Sequence, residues 1–483
     1  MNTPQRLLSN TALAYTSNII VKAGNVLLFI FLGRFYGPED AGIFNLGITF
    51  LTVTLALSAW GLHELLVREA APRRNQSARY FVNFISLRLF LTLIGYAILL
   101  VALRHLLPYS DSTSEVIIII SLAVFPEAAF AIAHALFTAH EQLLVSTIAS
   151  FTNSGFKLVA GYWLISQGQP LEIVSWVIPI GSTLGLMVFI PWLILLFKVE
   201  RQVASARLSL GFTLSQLRYT PGFILIGFFS TIDFQLDTFL ISLLLSEEDI
   251  GWYGAAQTIV LGFWMVAPAV RTAIYPLMSR YYQQDPAKLK VLYQKSTQYL
   301  LLLVLPIAVG ITMLAQPIIM LIYGPSFAPS VPALQIMIWS IIFAYLAVPN
   351  ARLMLVHNRQ HQAGIMTGLT MLINVLLNMT LIPRMGIIGA ALARTTSTAI
   401  TYLMIYGYTQ RYLFKSSLLT LVRAPLVSVI LMAIVVWGLR DLPLFIPIIV
   451  GALVYGAAAL LLGAISQEDR LYLKSFGSSE GRH

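Results

Sequence analysis

Stretches of about twenty apolar residues, with no alternation of apolar and polar side chains, follow one another along most of this chain. A stretch of that length crosses a bilayer as a helix, because each residue rises ~1.5 Å and the hydrocarbon core is ~30 Å thick. A membrane barrel strand would alternate at every second position and be about half as long. Glycines and prolines are scattered through the apolar stretches, and a helical bundle tolerates them because neighbouring helices satisfy the freed backbone groups. The expected fold is therefore all-α and polytopic, with about fourteen transmembrane helices. Composition agrees: charged residues make up 10% of the 483, against about 25% in soluble domains.

The first apolar stretch carries Lys22 and Asn25 near its middle and is too long for a cleaved leader, so it reads as a retained span. There is no cysteine, which removes disulfides and thiolate chemistry. The net charge of +10 would suggest nucleic acid in a soluble protein, but here the basic residues report topology. With the N-terminus inside, Arg6, Arg68, Arg73, Arg74, Arg79, Lys198, Arg201, Arg207, Arg218, Arg280, Lys288, Lys290 and most later Lys and Arg fall at inner helix ends. The outer turns hold Arg34, Arg104, Arg384 and Arg440. That bias places both termini in the cytoplasm, in a multi-pass protein of the cytoplasmic membrane with no nucleic-acid partner.

An acidic turn occurs twice. "GPEDAGIF" at 37–44 and "SEEDIGWY" at 246–253 pair Glu39 with Glu248, Asp40 with Asp249, Gly42 with Gly251 and Phe44 with Tyr253. A later echo aligns "HEQLLVSTIASFTNSGFKLVAGYWLI" with "HQAGIMTGLTMLINVLLNMTLIPRM", pairing His140 with His361 and Asn153 with Asn374. The spacing covers six helices, so the two halves share one orientation, as in parallel-repeat transporters. The expected lobes are 1–205 and 206–412, joined through the charged segment 197–218 and followed by two additional helices and a tail at 413–483.

Five basic residues fall inside spans: Lys22, Arg88, Lys157, Arg271 and Arg394. Each costs about 2.5 to 3.5 kcal/mol at a helix centre, so each needs a wet cavity or a partner. Polar stripes accompany them: Thr11, Tyr15, Asn18, Lys22 and Asn25; Ser146, Ser150, Asn153 and Lys157; Gln257, Trp264, Arg271 and Tyr275. Thr367, Thr370, Asn374 and Asn378 form an uncharged one. These faces are expected to meet water, with interhelical contact as the alternative for the uncharged stripe. Glu127, Asp233 and Asp237 are acidic and inside; Asp233 and Asp237 share one helix face and either balance a buried cation or bind a coupling ion.

No P-loop is present. His357 and His361 sit one turn apart without a third ligand, so no metal or cofactor is expected. The outer turns are short, which counts against an enzyme that must hold a second substrate there. Transport is the simpler class.

The segments "LGRFYGPEDAGIFNLGITF", "LDTFLISLLLSEEDIGWYGAAQTI" and "NVLLNMTLIPRMGIIGAALARTTST" resemble those of polysaccharide-biosynthesis transporters. That group includes the O-antigen flippases, in the superfamily that also holds multidrug and toxic-compound exporters and the lipid II flippase. The resemblance implies two six-helix lobes plus two appended helices and a V-shaped cavity that opens alternately to each side. It also implies a cargo of lipid-linked oligosaccharide of the undecaprenyl-diphosphate type, and Asp237 matches the family's acidic position on the seventh helix. The expected cargo contacts are Lys22, Arg88, Lys157 and Arg271 for the diphosphate or acidic sugars, Trp264, Tyr275 and Tyr15 as flat faces for sugar rings, and Asn25 and Asn153 as further substrate-binding residues. Asp233, Asp237 and Glu127 are the expected coupling residues for a proton or sodium ion. Membrane lipids and a polysaccharide polymerase are the further expected partners. An ion-coupled exporter of small organic cations is the alternative, and a membrane glycosyltransferase or ligase a more distant one.

Overall fold

A computed structural model describes residues 24–199, 207–217, 221–264, 267–413 and 418–464. Those residues form helices and turns, with no strand among them. In chain order the helices are α1 (Gly24–Tyr36), α2 (Pro38–Ala59), α3 (Leu62–Ala70), α4 (Ser77–His105), α5 (Asp111–Ser121), α6 (Val124–Ala139), α7 (Leu143–Ser166), α8 (Leu171–Ser175), α9 (Val177–Val199) and α10 (Leu210–Leu217). They continue as α11 (Pro221–Leu244), α12 (Glu247–Trp264), α13 (Ala267–Gln284), α14 (Pro286–Ile322), α15 (Ser330–Met337), α16 (Ser340–Val356), α17 (Gln360–Met385), α18 (Ile387–Tyr412), α19 (Leu418–Gly438) and α20 (Phe445–Leu461). Among the described residues nine helical segments are long and apolar enough to cross a membrane, and α1 and α20 are shorter apolar helices. The chain is all-α and polytopic, as its apolar stretches require.

The chain divides into two compact units, with the boundary after Gly254. In the first, α6 packs on α4, α3 and α9, and α9 packs on α7. The second repeats this pattern: α16 packs on α14, α13 and α18, and α18 packs on α17. In addition, α19 and α20 pack on each other and on α14, where Tyr455 donates to the Leu302 carbonyl (2.9 Å).

Helix starts give the repeat its register. Pro38 of α2 and Glu247 of α12 are 209 positions apart, as are Ser77 of α4 and Pro286 of α14. The offset then becomes 217, from Leu143 of α7 to Gln360 of α17. Helix α14, 37 residues against 29 in α4, absorbs the difference. The turn before α7 contains Glu141 at φ 60°, and the turn before α17 contains Asn358 at φ 56°. His140 therefore corresponds to His357, not to His361. The structural register of the second echo thus differs by one helical turn from its sequence pairing, and Lys157 occupies the position of Asn374.

The acidic turns meet each other inside the first unit. A Cβ on Gly42 would lie 2.0 Å from the Glu247 carbonyl oxygen, and one on Gly251 would lie 1.9 Å from that of Pro38. The contact is reciprocal: each repeat's glycine receives the backbone of the other repeat's first helical residue. Two helix N-termini thus come together, each carrying roughly half a positive charge. Glu39 and Asp40 on α2 and Glu247, Glu248 and Asp249 on α12 occupy those first turns and offset it. Thr113 of α5 also donates its hydroxyl to the Glu247 carboxylate. The repeated motif therefore combines glycine for a backbone crossing with acids for the two dipoles.

Beyond the spans, α6 ends at Ala139, and the buried His140 ring nitrogen Nε2 sits 2.8 Å from the Ser77 hydroxyl. Burial disfavours the imidazolium, and the Arg74 charge adds to this, so the His140 pKa lies below its ordinary value. The unfolded chain then binds the proton more readily than the native protein. The stability contributed here is complete above the unfolded value of about pH 6.5 and is lost as pH falls toward the native one. Melting curves of wild type and His140→Asn, from about pH 7.5 to about pH 5, should diverge, with the wild type losing more on acidification; parallel curves would refute this.

Candidate functional site

Ser146, Ser150, Asn153 and Lys157 recur at helical spacing along α7, and the structure buries all four. Their face meets α9 rather than water, which corrects the expectation of a solvated stripe. Close approach depends on Gly181 and Gly185, one turn apart on α9. A Cβ at Gly181 would lie 2.7 Å from Lys157 Cγ, and one at Gly185 would lie 2.8 Å from Asn153 Cβ. Small residues at i and i+4 let membrane helices approach in this way.

At the centre of this contact lies Glu127 of α6. Its Oε1 accepts from Ser182 Oγ of α9 at 2.6 Å and from Asn153 Nδ2 at 3.2 Å, and Lys157 Nζ approaches it at 3.4 Å. The Lys157 side chain is 7% exposed and that of Glu127 24%. Asn153 Oδ1 is buried without a hydrogen-bond partner. The intramembrane lysine thus has a counter-ion. Ser182 was not foreseen from sequence, although the Gly181 to Gly185 spacing around it is a readable sign of tight packing.

Arg88 of α4 is 5% exposed and donates to the carbonyls of Ala59 (3.2 Å) and Leu55 (3.4 Å). These belong to the last turn of α2, which stops where Trp60 (φ 43°) and Gly61 (φ 65°) turn left-handed. Terminal helix carbonyls away from water need donors, and a cation also suits the negative end of the dipole. Arg88 performs both tasks, so its guanidinium is engaged with backbone.

On α11, Asp237 is fully buried and its Oδ2 accepts from the Tyr253 hydroxyl at 2.7 Å; Asp233, one turn away, is half-buried. Tyr253 is the aromatic residue of the second acidic turn, so that motif also holds an intramembrane carboxylate. Asn25 is exposed on α1. Lys22 and Tyr15 lie outside the described residues.

In the second unit, Trp264 ends α12 half-buried and Tyr275 is exposed on α13, with the Arg352 guanidinium 5.8 Å above its ring. Arg271 lies one turn before Tyr275 on α13; its side chain is outside those described. Arg352 of α16 thus sets a cation beside the Tyr275 ring. In the uncharged stripe Thr370 and Asn374 bond to α18, Asn378 is buried and bonds within α17, and Thr367 is exposed. Asn374 donates to Ser397 of α18 (3.1 Å), Thr401 donates to Thr370 (2.9 Å), and Asn378 donates to Asn374 Oδ1 (3.1 Å).

The lipid II flippase MurJ in an inward-closed conformation superposes with a TM-score of 0.73 at 15% identity, over 94% of this chain and 99% of its own. A multidrug resistance MATE family transporter of the MOP superfamily, inward-facing, gives 0.67 at 14% identity, over 82% and 97%. In sequence, the chain is 25% identical over 240 residues to Agl15 of Haloferax volcanii, described as "Probable low-salt glycan biosynthesis flippase". That match covers 48% of this chain and about half (51%) of the relative's length. Residues 31–332 match the family described as "Polysaccharide biosynthesis protein", and the chain belongs to that family.

Proposed function

We propose that this protein is a flippase that moves a polyprenyl-diphosphate-linked oligosaccharide across the cytoplasmic membrane for surface polysaccharide assembly. The observation that supports this most is the match of residues 31–332 to the polysaccharide biosynthesis family. Next to it stands a repeated bundle with basic side chains at span positions. The inner bias of Lys and Arg supports cytoplasmic termini.

Cargo would be loaded from the cytoplasmic leaflet, its undecaprenyl tail remaining in lipid and its diphosphate held by Lys22, Arg271 and Lys157 through charge-assisted hydrogen bonds. Tyr15, Asn25, Trp264 and Tyr275 would offer flat or polar faces to sugars, and Arg352 beside Tyr275 extends the cationic set. Arg88 keeps its backbone task. The lobes 1–205 and 206–412 would rock against each other, with 413–483 appended, delivering the oligosaccharide to a polymerase on the outer side. Asp233, Asp237 and Glu127 would couple the cycle to a proton or sodium ion.

In cells whose own flippase gene is deleted, the wild-type protein should restore surface polysaccharide, while Lys22→Ala and Arg271→Ala should abolish it at normal protein levels. Full polymer in both variants would overturn the basic-residue assignment. The likeness in fold to a multidrug transporter keeps an organic-cation exporter as the second reading. Reduced drug accumulation in cells making the protein, without polysaccharide rescue, would favour it.

A further inference from the structure

Two of the roles proposed above cannot be filled at once. Lys157 is assigned to an anion of the cargo and Glu127 to a coupling ion, yet the two side chains are in contact with each other at 3.4 Å. One ammonium cannot neutralise both a carboxylate and a diphosphate without leaving the set negatively charged in a region of low dielectric.

The hydrogen bonds around Glu127 give the resolution. An ionised carboxylate only accepts, and Oε1 receives Ser182, Asn153 and Lys157 together. The amide oxygen of the same Asn153, buried beside it, has no donor. A buried acceptor left without a donor is costly. A protonated carboxyl supplies one O–H donor, and Asn153 already sits within hydrogen-bond distance of the carboxylate. Ionised Glu127 thus suits a cation, whereas a protonated Glu127 would offer, next to the amide whose Nδ2 it already accepts from, the kind of donor that Asn153 Oδ1 lacks.

We propose that Glu127 is a proton-binding site, and that its protonation hands Lys157 from an internal carboxylate to an external diphosphate-type anion. This rests on the flippase reading for the identity of the anion, though not for the proton site. The step balances simply. A proton from water forms an O–H bond on Glu127, Lys157 keeps its three N–H bonds, and the negative charge that Lys157 loses on Glu127 is replaced by the anion. Release of the anion reverses each change. Anion binding and proton uptake are then reciprocally linked.

The charged and titratable groups on the elements around α6 are few. On α6 itself, Glu127, Ala131 and His134 fall on one face at spacings of four and three. His134 stacks on His63 of α3 with ring centroids 5.6 Å apart, and His63 Nδ1 donates to the Ala131 carbonyl (3.2 Å). Helix α3 also carries Glu64, Arg68 and Glu69. Helix α4 carries Arg79, Arg104, His105 and Arg88, the last engaged with Leu55 and Ala59 and within electrostatic reach of Glu64. Helix α9 carries Lys198 at its end, and α2 carries Glu39 and Asp40 at its start. Among the described residues, Lys157 is the charged group in contact with Glu127, so the proton on Glu127 and the freedom of Lys157 are tied to each other.

The test uses the full chain in lipid nanodiscs, with inorganic pyrophosphate as probe. Infrared difference spectra of wild type on acidification should show a carboxylic acid C=O band that Glu127→Gln lacks, and pyrophosphate added at constant pH should increase that band. Calorimetry at one neutral pH should show Glu127→Gln binding pyrophosphate roughly tenfold more tightly than wild type, within the usual range of site-to-site coupling. Adding Lys157→Met to that variant should remove the gain. Equal affinities in wild type and Glu127→Gln, or a Glu127 band insensitive to pyrophosphate, would overturn the proposal. If Glu127→Gln fails to fold, Glu127→Asp, which keeps the carboxyl, assigns the pyrophosphate-sensitive band by shifting it, and a band unshifted in that variant would overturn the assignment. Neither readout involves lipid transport, so a protein that passes both and moves no lipid-linked oligosaccharide refutes the flippase reading and leaves the proton site standing.

Discussion

Leucine at Gly251 should yield little or no folded protein, and leucine at Gly42 should do the same. At both positions the first side-chain carbon would lie about 2 Å from a backbone oxygen of the other repeat, far inside van der Waals contact. Ordinary overpacking costs about 1 to 3 kcal/mol because side chains can change rotamer. Here the obstacle is main chain at the first turn of a helix, so α2 and α12 must separate, and with them the Tyr253 to Asp237 and Thr113 to Glu247 contacts. The control is Gly262 on the same helix, which has open space around its Cα. Gly262→Ala should fold normally and gain up to about 1 kcal/mol of helix propensity. Size-exclusion profiles and melting temperatures in detergent check both. Wild-type melting in Gly251→Leu would show that the crossing is incidental to the fold.

Removing Glu127 alone should have the second largest effect. Lys157 would remain buried between α7 and α9 with no counter-ion, and breaking such a pair from one side typically costs about 3 to 5 kcal/mol. Removing both charges should cost much less, because replacing a buried pair by apolar groups is often close to neutral. A double-mutant cycle on Glu127→Ala and Lys157→Met, followed by thermal unfolding, should therefore show strong positive coupling, with the double variant more stable than Glu127→Ala. Additive losses would mean that the two charges do not sense each other.

Much of the architecture was legible because its signals are local. Span length, the absence of period-two alternation and the Glu-Asp-x-Gly turns each depend on a few adjacent residues, and they led to helices and a parallel repeat. The second echo was misaligned by one turn because the eight-residue extension lies inside the apolar helix α14, where an insertion leaves no break in pattern. Helical spacing showed that Ser146, Ser150, Asn153 and Lys157 share a face, but a period does not say whether water or α9 covers it. Gly181 and Gly185 held that information. The backbone partners of Arg88 are not legible in the sequence, because the end of α2 gives little warning. Its stop includes Trp60 at positive φ, a conformation bulky residues seldom adopt. Glu127, by contrast, was singled out from depth alone, and it sits at the centre of the polar cluster.

The most direct test of the flippase account is translocation by purified protein in vesicles containing a fluorescent polyprenyl-diphosphate-linked oligosaccharide, scored by protection of the sugar from a lectin added outside. The account predicts protein-dependent crossing that is faster when the side from which the cargo loads is made the more acidic, since proton uptake and anion binding are linked, and that is lost in Lys157→Met. Crossing no faster than in protein-free vesicles, from protein shown to be folded, would contradict it.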